Sequence, residues 1–548
     1  MAEGFDIFWR RGLRGPDNNR VSSGPKQVPL PHEIKGIKTS LKENEAYLRQ
    51  EFANSADIVF RKFYVGDTRC LAVWAGGMID DRASQDVFHS LMLDLPREKV
   101  ERVHGSELAD YLCQRFLPLI SASRVEDLNE LKRWVLMSKL ILLLDGCPVG
   151  LMLDAESVPS RQITEPVVES VVAGPRDSFV ESLKVNTALV RGRLGDVKLK
   201  SENYILGRRT NTMVTLMFVE DIANPKIVEE ARKRIRRIDI DGIIDSSYLK
   251  ELIQDTAYSL FPLIKRTERP DRVVADLLEG RFVLLVEGSP MVLTAPSIFV
   301  DFLQSPEDYY QNPLVGVGLR ILRQTSLFLS TSMPAIYVAI TTYHQEMLPI
   351  PLIFNVSGAR EAVPFPAFLE ALLMLALFEL LWEAGVRLPR VVGAAVNIVG
   401  ALILGQAVIQ AGFVSPAMVV VIAVAAIANF TMGSNYELAS GMRLIRVITL
   451  AGGAALGLYG YALVVMVFLI YMAGLRSFGV PYMGYMNPLI WKPMKDIIFR
   501  APIWDATQRP SLFRPLDPDR SKTPRPSPAA GRTPLPGENR DARKRKDR

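Results

Sequence analysis

The sequence predicts a multi-domain chain, in which two duplicated cytoplasmic α/β subdomains precede an all-α polytopic membrane domain of about five hydrophobic spans. The 548 residues have a mean hydropathy of only +0.14, yet residues 324–474 hold long uncharged stretches. Residues before about 300 are mixed and charged, and two of their segments repeat. The opening residues lack the apolar run of a secretory signal, so we expect this half to stay in the cytoplasm.

The duplication is visible in two segments that align without gaps. "SKLILLLDGCPVGL" (138–151) and "GRFVLLVEGSPMVL" (280–293) lie 142 residues apart, and Asp145 corresponds to Glu287. Each segment is typical of a strand, a tight turn with an acid and a glycine, and a second strand. We therefore predict a flexible segment over 1–38 and α/β subdomains over 39–158 and 159–300.

Five apolar stretches follow within a predicted membrane domain of residues 301–490. About 20 helical residues cross a bilayer core, and most of these stretches reach that length. A basic, proline-rich and disordered tail is predicted over 491–548. The predicted spans are 324–343, 363–382, 391–413, 416–435 and 447–474.

The orientation is only partly determined by the sequence. Arg320 and Arg323 precede the first span and favour a cytoplasmic start under the positive-inside rule. Five crossings would then place the basic tail on the opposite side, against the same rule. Either the tail breaks the rule or one span turns back, and residues 363–382 are the leading candidate for re-entry.

Composition and motifs argue against several functions. Although the net charge is +6, the basic tail beside a membrane domain favours contact with anionic lipid over nucleic acid. Cys70, Cys113 and Cys147 are widely spaced and predict neither disulfides nor a metal site. No common enzyme motif occurs, and "RIDIDGIIDSS" (237–247) lacks required ligands of a calcium loop. We expect no enzymatic activity, cofactor or metal.

Three glutamates lie in or beside the second apolar stretch, "FLEALLMLALFELLWEAG" (368–385). Helical geometry places Glu379 and Glu383 on one face and Glu370 roughly opposite. A carboxylate within a membrane is by default a functional hypothesis, here the lining of a pore or vestibule. The alternative is a shallow or re-entrant segment with its glutamates at interfaces, which the bend predicted at Pro364 and Pro366 supports.

The third stretch combines small and polar residues. Small residues let helices approach closely in lipid, so its glycines are candidate packing positions. Its amide side chains would either line a water path or form hydrogen bonds between helices. The glycines are Gly393, Gly400, Gly405 and Gly412, and the amides are Asn397, Gln406 and Gln410.

Several ordered stretches resemble the A subunit of the GerA-type spore germinant receptors of endospore-forming bacteria. The first matching stretches are "EPVVESVVAGPRDSFVESL", "DIANPKIVEEARKRIRRIDIDGIIDS", "SPEDYYQNP" and "TTYHQEMLP". The membrane half contributes "VPFPAFLEALLM", "EAGVRLP", "GQAVIQAGFVSPAMV", "NYEL" and "LRSFGVPYM", which extends the resemblance over about residues 140–487. Ser434 stands before "NYEL" where the family pattern has proline.

The resemblance implies an integral protein of the spore inner membrane with cytoplasmic N-terminal subdomains. Its implied partners are a transporter-like B subunit and a lipoprotein C subunit, together with further copies of itself, the lipid bilayer and monovalent cations. The resemblance thus favours a ligand-gated cation-conducting subunit. The alternatives are a non-conducting scaffold, a secondary transporter and the AF paralogue of the dipicolinate-channel operon, although the "GPRDSF" and "IANP" stretches favour the receptor subunit.

Overall fold

The computed structural model describes most of the chain. The described residues are 36–79, 85, 87–89, 91–92, 106–112, 122–154, 165–166, 168–387, 405–432, 436–486 and 499–523.

Each subdomain contains one five-stranded antiparallel sheet. The first has strands β1 (Ile58–Val65), β2 (Thr68–Ala75), β3 (Ala122–Val125), β4 (Leu140–Leu144) and β5 (Gly150–Leu153), with helices α1 (Leu41–Glu51), α2 (Ser106–Tyr111) and α3 (Leu128–Leu136). The second has β6 (Leu199–Leu206), β7 (Thr212–Val219), β8 (Lys265–Thr267), β9 (Phe282–Val286) and β10 (Val292–Ala295), with α4 (Leu183–Arg193), α5 (Pro225–Arg236), α6 (Ser246–Ile253) and α7 (Pro270–Leu278).

The two sheets have the same topology. Their strand orders are β1-β2-β4-β5-β3 and β6-β7-β9-β10-β8. Helices α1 and α4 precede equivalent strands, as do α3 and α7. The duplicated α/β architecture predicted from the sequence is therefore present, and each repeat segment forms two adjacent inner strands of its sheet.

The acidic turn of the repeat has a structural role in both copies. Asp145 Oδ1 accepts a hydrogen bond from the Leu41 amide at 3.1 Å, and Glu287 Oε2 accepts one from the Leu183 amide at 3.0 Å. Both amides are unpaired donors in the first turn of a helix, α1 or α4. The glycine after each acid has φ +82°, which glycine adopts without strain. The paired acids therefore cap helices.

A buried ion pair joins the subdomains. Arg191 on α4 binds Asp57 with two nitrogens, Nε to Oδ2 at 2.7 Å and Nη2 to Oδ1 at 2.9 Å. The Arg191 side chain is 1% exposed, so the pair lies outside bulk solvent. Such bidentate geometry fixes orientation as well as distance. The two subdomains therefore pack in a defined arrangement.

The remainder of the described chain is mostly helical. It contains a short helix α8 (Glu307–Tyr310), then α9 (Pro313–Tyr343), α10 (Ile350–Arg360), α11 (Ala367–Arg387), α12 (Pro416–Thr431) and α13 (Tyr436–Gly474), followed by a small pair of strands, β11 (Arg476–Ser477) and β12 (Val480–Pro481).

Helix α13 is a hairpin of two antiparallel limbs. The backbone leaves helical geometry at Leu456 (φ −133°) and Gly457 (φ +63°). A Cβ built on Gly452 would lie 2.6 Å from Val464 Cγ2 and 3.0 Å from the Gly460 carbonyl oxygen. In a straight helix, residues eight apart are about 12 Å apart along the axis. Residues 436–455 and 458–474 therefore fold back on each other.

The limbs run along α9 in opposite directions. From the first limb, Arg446 contacts Ser330 and Gly453 approaches Ala335, so this limb runs parallel to α9. The second limb runs back, and Tyr461 donates to Ser332 near its start. The hairpin turn therefore lies at the distal end of the bundle, away from the α/β subdomains.

After the hairpin the chain returns to the second subdomain. The Phe478 ring packs edge-on against Phe282 at 4.9 Å, and the Phe299 amide donates to the Tyr482 carbonyl at 2.9 Å. Residues 499–523 also pack there, with Phe513 in the core of the second subdomain. The sequence predicts disorder over this part of the tail, but a buried aromatic anchor holds it in place.

The structure does not confirm the prediction of five membrane spans. Among the described residues, one helix is long and apolar enough to cross a membrane, Glu437–Gly474, and this is the helix that contains the hairpin. Only 17% of its most apolar window is buried, unlike the core helix of a soluble protein. Helix α12 is apolar but shorter, and residues 391–404 of the third predicted span lie outside the described residues.

The close contact between the limbs predicts a sharp difference between two glycines of the second limb. A Cβ at Gly460 would overlap the carbonyl oxygen of Gly452, whereas a Cβ at Gly474 meets nothing within 4 Å. Gly460→Ala should lower the free energy of unfolding by about 1–3 kcal/mol through overpacking. Thermal unfolding of detergent-solubilised protein measures this, with Gly474→Ala as the matched control. Equal stability of the two variants would contradict the packed hairpin.

Candidate functional site

Two of the three glutamates of α11 form ion pairs. Glu379 pairs with Arg443 on the first limb of α13. The guanidinium carbon of Arg443 also lies 5.8 Å from the centroid of the Trp382 ring. Glu383 accepts from Arg387 Nε at 2.8 Å, within the same helix and at the surface. Glu379 is the more notable of the two because its half-exposed carboxylate pairs with an arginine from another helix.

Glu370 lies in a different environment from these two. Its side chain is fully buried and Oε2 accepts from Ser415 Oγ at 2.9 Å. Arg360 Nε at the end of α10 lies 4.0 Å from Oε1, and neither atom has a hydrogen-bond partner among the described residues. The structure thus separates Glu370 from the other two carboxylates, as helical geometry predicts.

The remaining predicted positions are mostly peripheral where they are described. Gln406 and Gln410 are exposed, and no atom lies within 4 Å of a Cβ built on Gly405. Gly412 has φ +70° and forms a turn whose Cβ position lies 3.2 Å from the Ala362 carbonyl oxygen. Gly393, Asn397 and Gly400 lie outside the described residues.

The two prolines at the entry of α11 lie where the sequence predicts a bend. Pro364 lies in the non-helical connection before the helix, and Pro366 directly precedes its first residue. The Pro366 carbonyl accepts the Glu370 amide at 3.1 Å. Pro366 therefore marks the start of the helix, a position at which its missing amide costs no intrahelical bond.

A polar contact that the sequence analysis missed surrounds Pro334, inside α9. Proline has no amide hydrogen, so the Ser330 carbonyl four residues earlier loses its helical donor. Arg446 Nε donates to this carbonyl at 2.6 Å, and Thr449 Oγ1 donates to the Thr331 carbonyl at 2.8 Å. The first limb of α13 thereby supplies a donor to the carbonyl that the proline deprives and a second donor to the neighbouring carbonyl. A proline within an apolar span, with polar residues on another span, was the available signal.

Arg446 is almost fully buried, at 3% exposure, and its Nη2 has no hydrogen-bond partner among the described residues. Near it, Tyr461 from the second limb donates to Ser332 Oγ at 2.8 Å. Both limbs of the hairpin therefore make polar contacts with the proline-containing part of α9.

A second buried cluster joins the bundle to the α/β half. Asp308 on α8 is fully buried and accepts from Arg323 at 3.0 and 3.1 Å, with Arg320 Nε at 3.5 Å. Arg500 from the tail donates to the Tyr309 and Gln311 carbonyls, both at 3.1 Å. The two arginines that the sequence analysis used only for orientation are thus structural partners of one carboxylate.

The segment "RIDIDGIIDSS" (237–247), which lacks ligands of a calcium loop, contains an aspartate with a structural role. Asp245 begins α6 and accepts hydrogen bonds from the Ser247 amide and from Ser289 Oγ. Burial opposes its ionisation, but the bonds from Ser247 and Ser289 lower its pKa to about 2. In the part of the chain that the structure describes, no group of acids, histidines or cysteines is arranged to hold a metal ion.

The contact at Pro334 predicts energetic coupling between two positions. Arg446→Met should destabilise the protein because the Ser330 carbonyl loses its donor in a buried site. Pro334→Ala restores an amide that bonds to the same carbonyl, so in that background Arg446→Met should cost about 1 kcal/mol less. Thermal unfolding of the two single variants and the double variant measures the coupling. Strictly additive losses would show that Arg446 does not compensate for the proline.

Comparison with known proteins gives a consistent result. The family model described as "Bacillus/Clostridium GerA spore germination protein" matches residues 46–512. The spore germination protein KA of Bacillus subtilis (strain 168) is 39% identical over 90% of this chain and 91% of its own length. The spore germination protein GerLA of Bacillus cereus is 34% identical over 86% and 95%.

Two further matches are a membrane protein and a solved domain structure. The uncharacterized membrane protein YfkQ of Bacillus subtilis (strain 168) is 39% identical over 87% of this chain and 92% of its own length. The crystal structure of the N-terminal domain of the A subunit of the Bacillus megaterium spore germinant receptor GerK3 covers 49% of this chain and 99% of that domain, with a TM-score of 0.40 and 32% identity. From the family match and the relatives aligned along nearly their whole length, the chain belongs to the GerA family of spore germination proteins.

Proposed function

We propose that this chain is the A-type subunit of a germinant receptor in the spore inner membrane, where copies of it assemble into a gated path for monovalent cations. A transporter-like B subunit and a lipoprotein C subunit are its proposed partners. The α/β subdomains face the cytoplasm, and the role is non-enzymatic. Family membership supports the part in germination, and the charges of the helical bundle support the cation path.

Exposed apolar side chains support a membrane location for the bundle. On the second limb of α13, Tyr459 is 71% exposed and Ile470 is 65% exposed, and Leu380 on α11 is 68% exposed. Large apolar side chains exposed to this degree on a helical bundle are expected to lie against lipid or another protein. Each limb of the hairpin has 17 to 20 residues, or about 25–30 Å of helix, close to a bilayer core.

Two membrane crossings by α13 would remove the conflict between the number of spans and the positive-inside rule. If α13 crosses the membrane twice, the chain after residue 474 returns to the side of the α/β subdomains. The contacts of Phe478 with Phe282 and of Phe513 with the subdomain core agree with this return. Re-entry of residues 363–382 is then not required to keep the basic tail in the cytoplasm.

The main support for a cation path is the exposed carboxylate of Glu379. Glu379 lies midway along α11, its side chain is 47% exposed, and the next residue, Leu380, is 68% exposed. Exposure of a carboxylate to hydrocarbon costs several kcal/mol, so this face belongs against water or another subunit. A ring of such carboxylates from several copies favours cations.

The ion pairs favour one alternative, a non-conducting scaffold. Arg443 already compensates Glu379, and Arg387 compensates Glu383. In that case the carboxylates hold helices together and contribute no field to a path. The two roles differ in what happens when both members of a pair lose their charge.

Glu379→Gln should slow potassium efflux after nutrient addition at least twofold, since it removes the carboxylate that favours cations. The measurement uses spores in which the variant replaces the native chain at an equal protein level, verified by immunoblot. Glu383→Gln is the comparison variant on the same helix, and its effect should be smaller.

The double variant Glu379→Gln/Arg443→Gln separates the two roles. A cation path predicts slow efflux in the double variant as well, because the carboxylate is still missing. A structural ion pair predicts recovery, because no uncompensated charge remains. Recovery, or unchanged efflux in Glu379→Gln, would contradict the proposed path.

A further inference from the structure

A cavity of about 580 Å³ lies at the distal end of the bundle, between the end of α9 and helix α10. A volume of this size is typical of sites for small molecules. Its wall combines apolar and polar side chains, including Phe354, Ile353, Ser357, Gln345, Arg360 and Glu361.

The charged groups of this cavity make few contacts with the described residues. In this part of the chain the Arg360 side chain forms no hydrogen bond, and its one ion-pair contact is with Glu370 Oε1, at 4.0 Å from Nε. Glu361 is exposed and forms no ion pair with the described part of the chain. Buried polar groups are normally paired, so the unpartnered Nε of Arg360 and Oε1 of Glu370 require explanation.

Glu370 fixes the position of the arginine. Its carboxylate is fully buried and tied to Ser415, which is also fully buried. The buried carboxylate attracts the guanidinium across 4.0 Å, and Arg360 also lines the cavity. Glu370 thus serves as a positioning residue, and the Arg360 donors form no hydrogen bond with the described residues.

We infer that this cavity binds a small zwitterion with an apolar part. Arg360 would receive the anionic group, Glu361 the ammonium group, and Phe354 and Ile353 the apolar part. A lone cation is disfavoured by the guanidinium, and a lone anion is disfavoured by Glu361 and Glu370. A free amino acid and a zwitterionic lipid headgroup share this chemistry. The inference is independent of the cation path because it concerns binding to the chain alone.

Three probes with one carbon skeleton test the charge requirement. L-leucine carries both charges, 4-methylpentanoate only the carboxylate and 3-methylbutylamine only the ammonium group. Isothermal titration calorimetry on the full chain in a neutral maltoside detergent should give the highest affinity for leucine, with each single-charge analogue at least tenfold weaker. Equal affinity for leucine and an analogue would overturn the zwitterion assignment.

Matched arginine variants locate the site. Arg360→Met should weaken leucine binding at least tenfold, whereas Arg387→Met, which alters an exposed arginine outside the cavity, should leave it unchanged. Thermal unfolding verifies that both variants are folded. If Arg360→Met unfolds, Glu361→Gln is the second variant and should also weaken binding. Equal binding by all variants would overturn the site.

A titration with lipids distinguishes a free amino acid from a zwitterionic lipid headgroup as the ligand. The same titration with short-chain phosphatidylethanolamine measures headgroup binding, with phosphatidylglycerol as the control that lacks the ammonium group. Binding of leucine assigns the site to a free zwitterion, and binding of phosphatidylethanolamine alone assigns it to a lipid headgroup. Binding of neither overturns the inference. Potassium efflux does not enter these measurements, so a failure here is distinct from a failure of the cation path.

Discussion

The carboxylate of Asp308 is the interaction on which the two halves of the molecule depend. It is fully buried on α8 and compensates Arg320 and Arg323 at the start of α9, while the nearby Tyr310 hydroxyl donates to Asp271 on α7 of the second subdomain. Loss of one partner from a buried ion cluster leaves uncompensated charge, which costs about 3–5 kcal/mol. The tail reinforces this joint through Arg500, which holds the carbonyls of the adjoining turn. Because of these contacts, α9 is fixed to the subdomains rather than linked to them flexibly.

Helix α9 connects this joint to the distal end of the bundle. It begins five residues after Asp308. At Pro334 the Ser330 carbonyl loses its helical donor, and Arg446 from the hairpin donates to it instead. The end of α9 also lines the distal cavity, where Arg360 lies. One helix, interrupted by a proline, therefore runs from the buried joint to the cavity.

The sequence predicted local features better than long-range contacts. The repeat predicted both sheets because Asp145 and Glu287 occupy the same turn in two copies of one pattern. The hairpin was not predicted, since residues 447–474 are uniformly apolar and a glycine such as Gly457 is common within membrane helices. The pairing of Glu379 with Arg443 joins helices 64 residues apart, and no periodicity reports such a contact. Tail composition predicted disorder over 491–548, whereas residues 499–523 pack on the rest of the chain, with Phe513 in the core of the second subdomain.

The hairpin of α13, which returns the chain to the α/β subdomains, is tested most directly by cysteine labelling. Tyr459→Cys lies beside the hairpin turn and Thr507→Cys on the exposed tail, each in a chain whose native cysteines are replaced by alanine. Right-side-out membrane vesicles are treated with a membrane-impermeant maleimide before and after permeabilisation. A hairpin predicts labelling of Tyr459→Cys in intact vesicles and of Thr507→Cys only after permeabilisation. Labelling of Thr507→Cys in intact vesicles would contradict the hairpin and would place the tail on the opposite side from the subdomains.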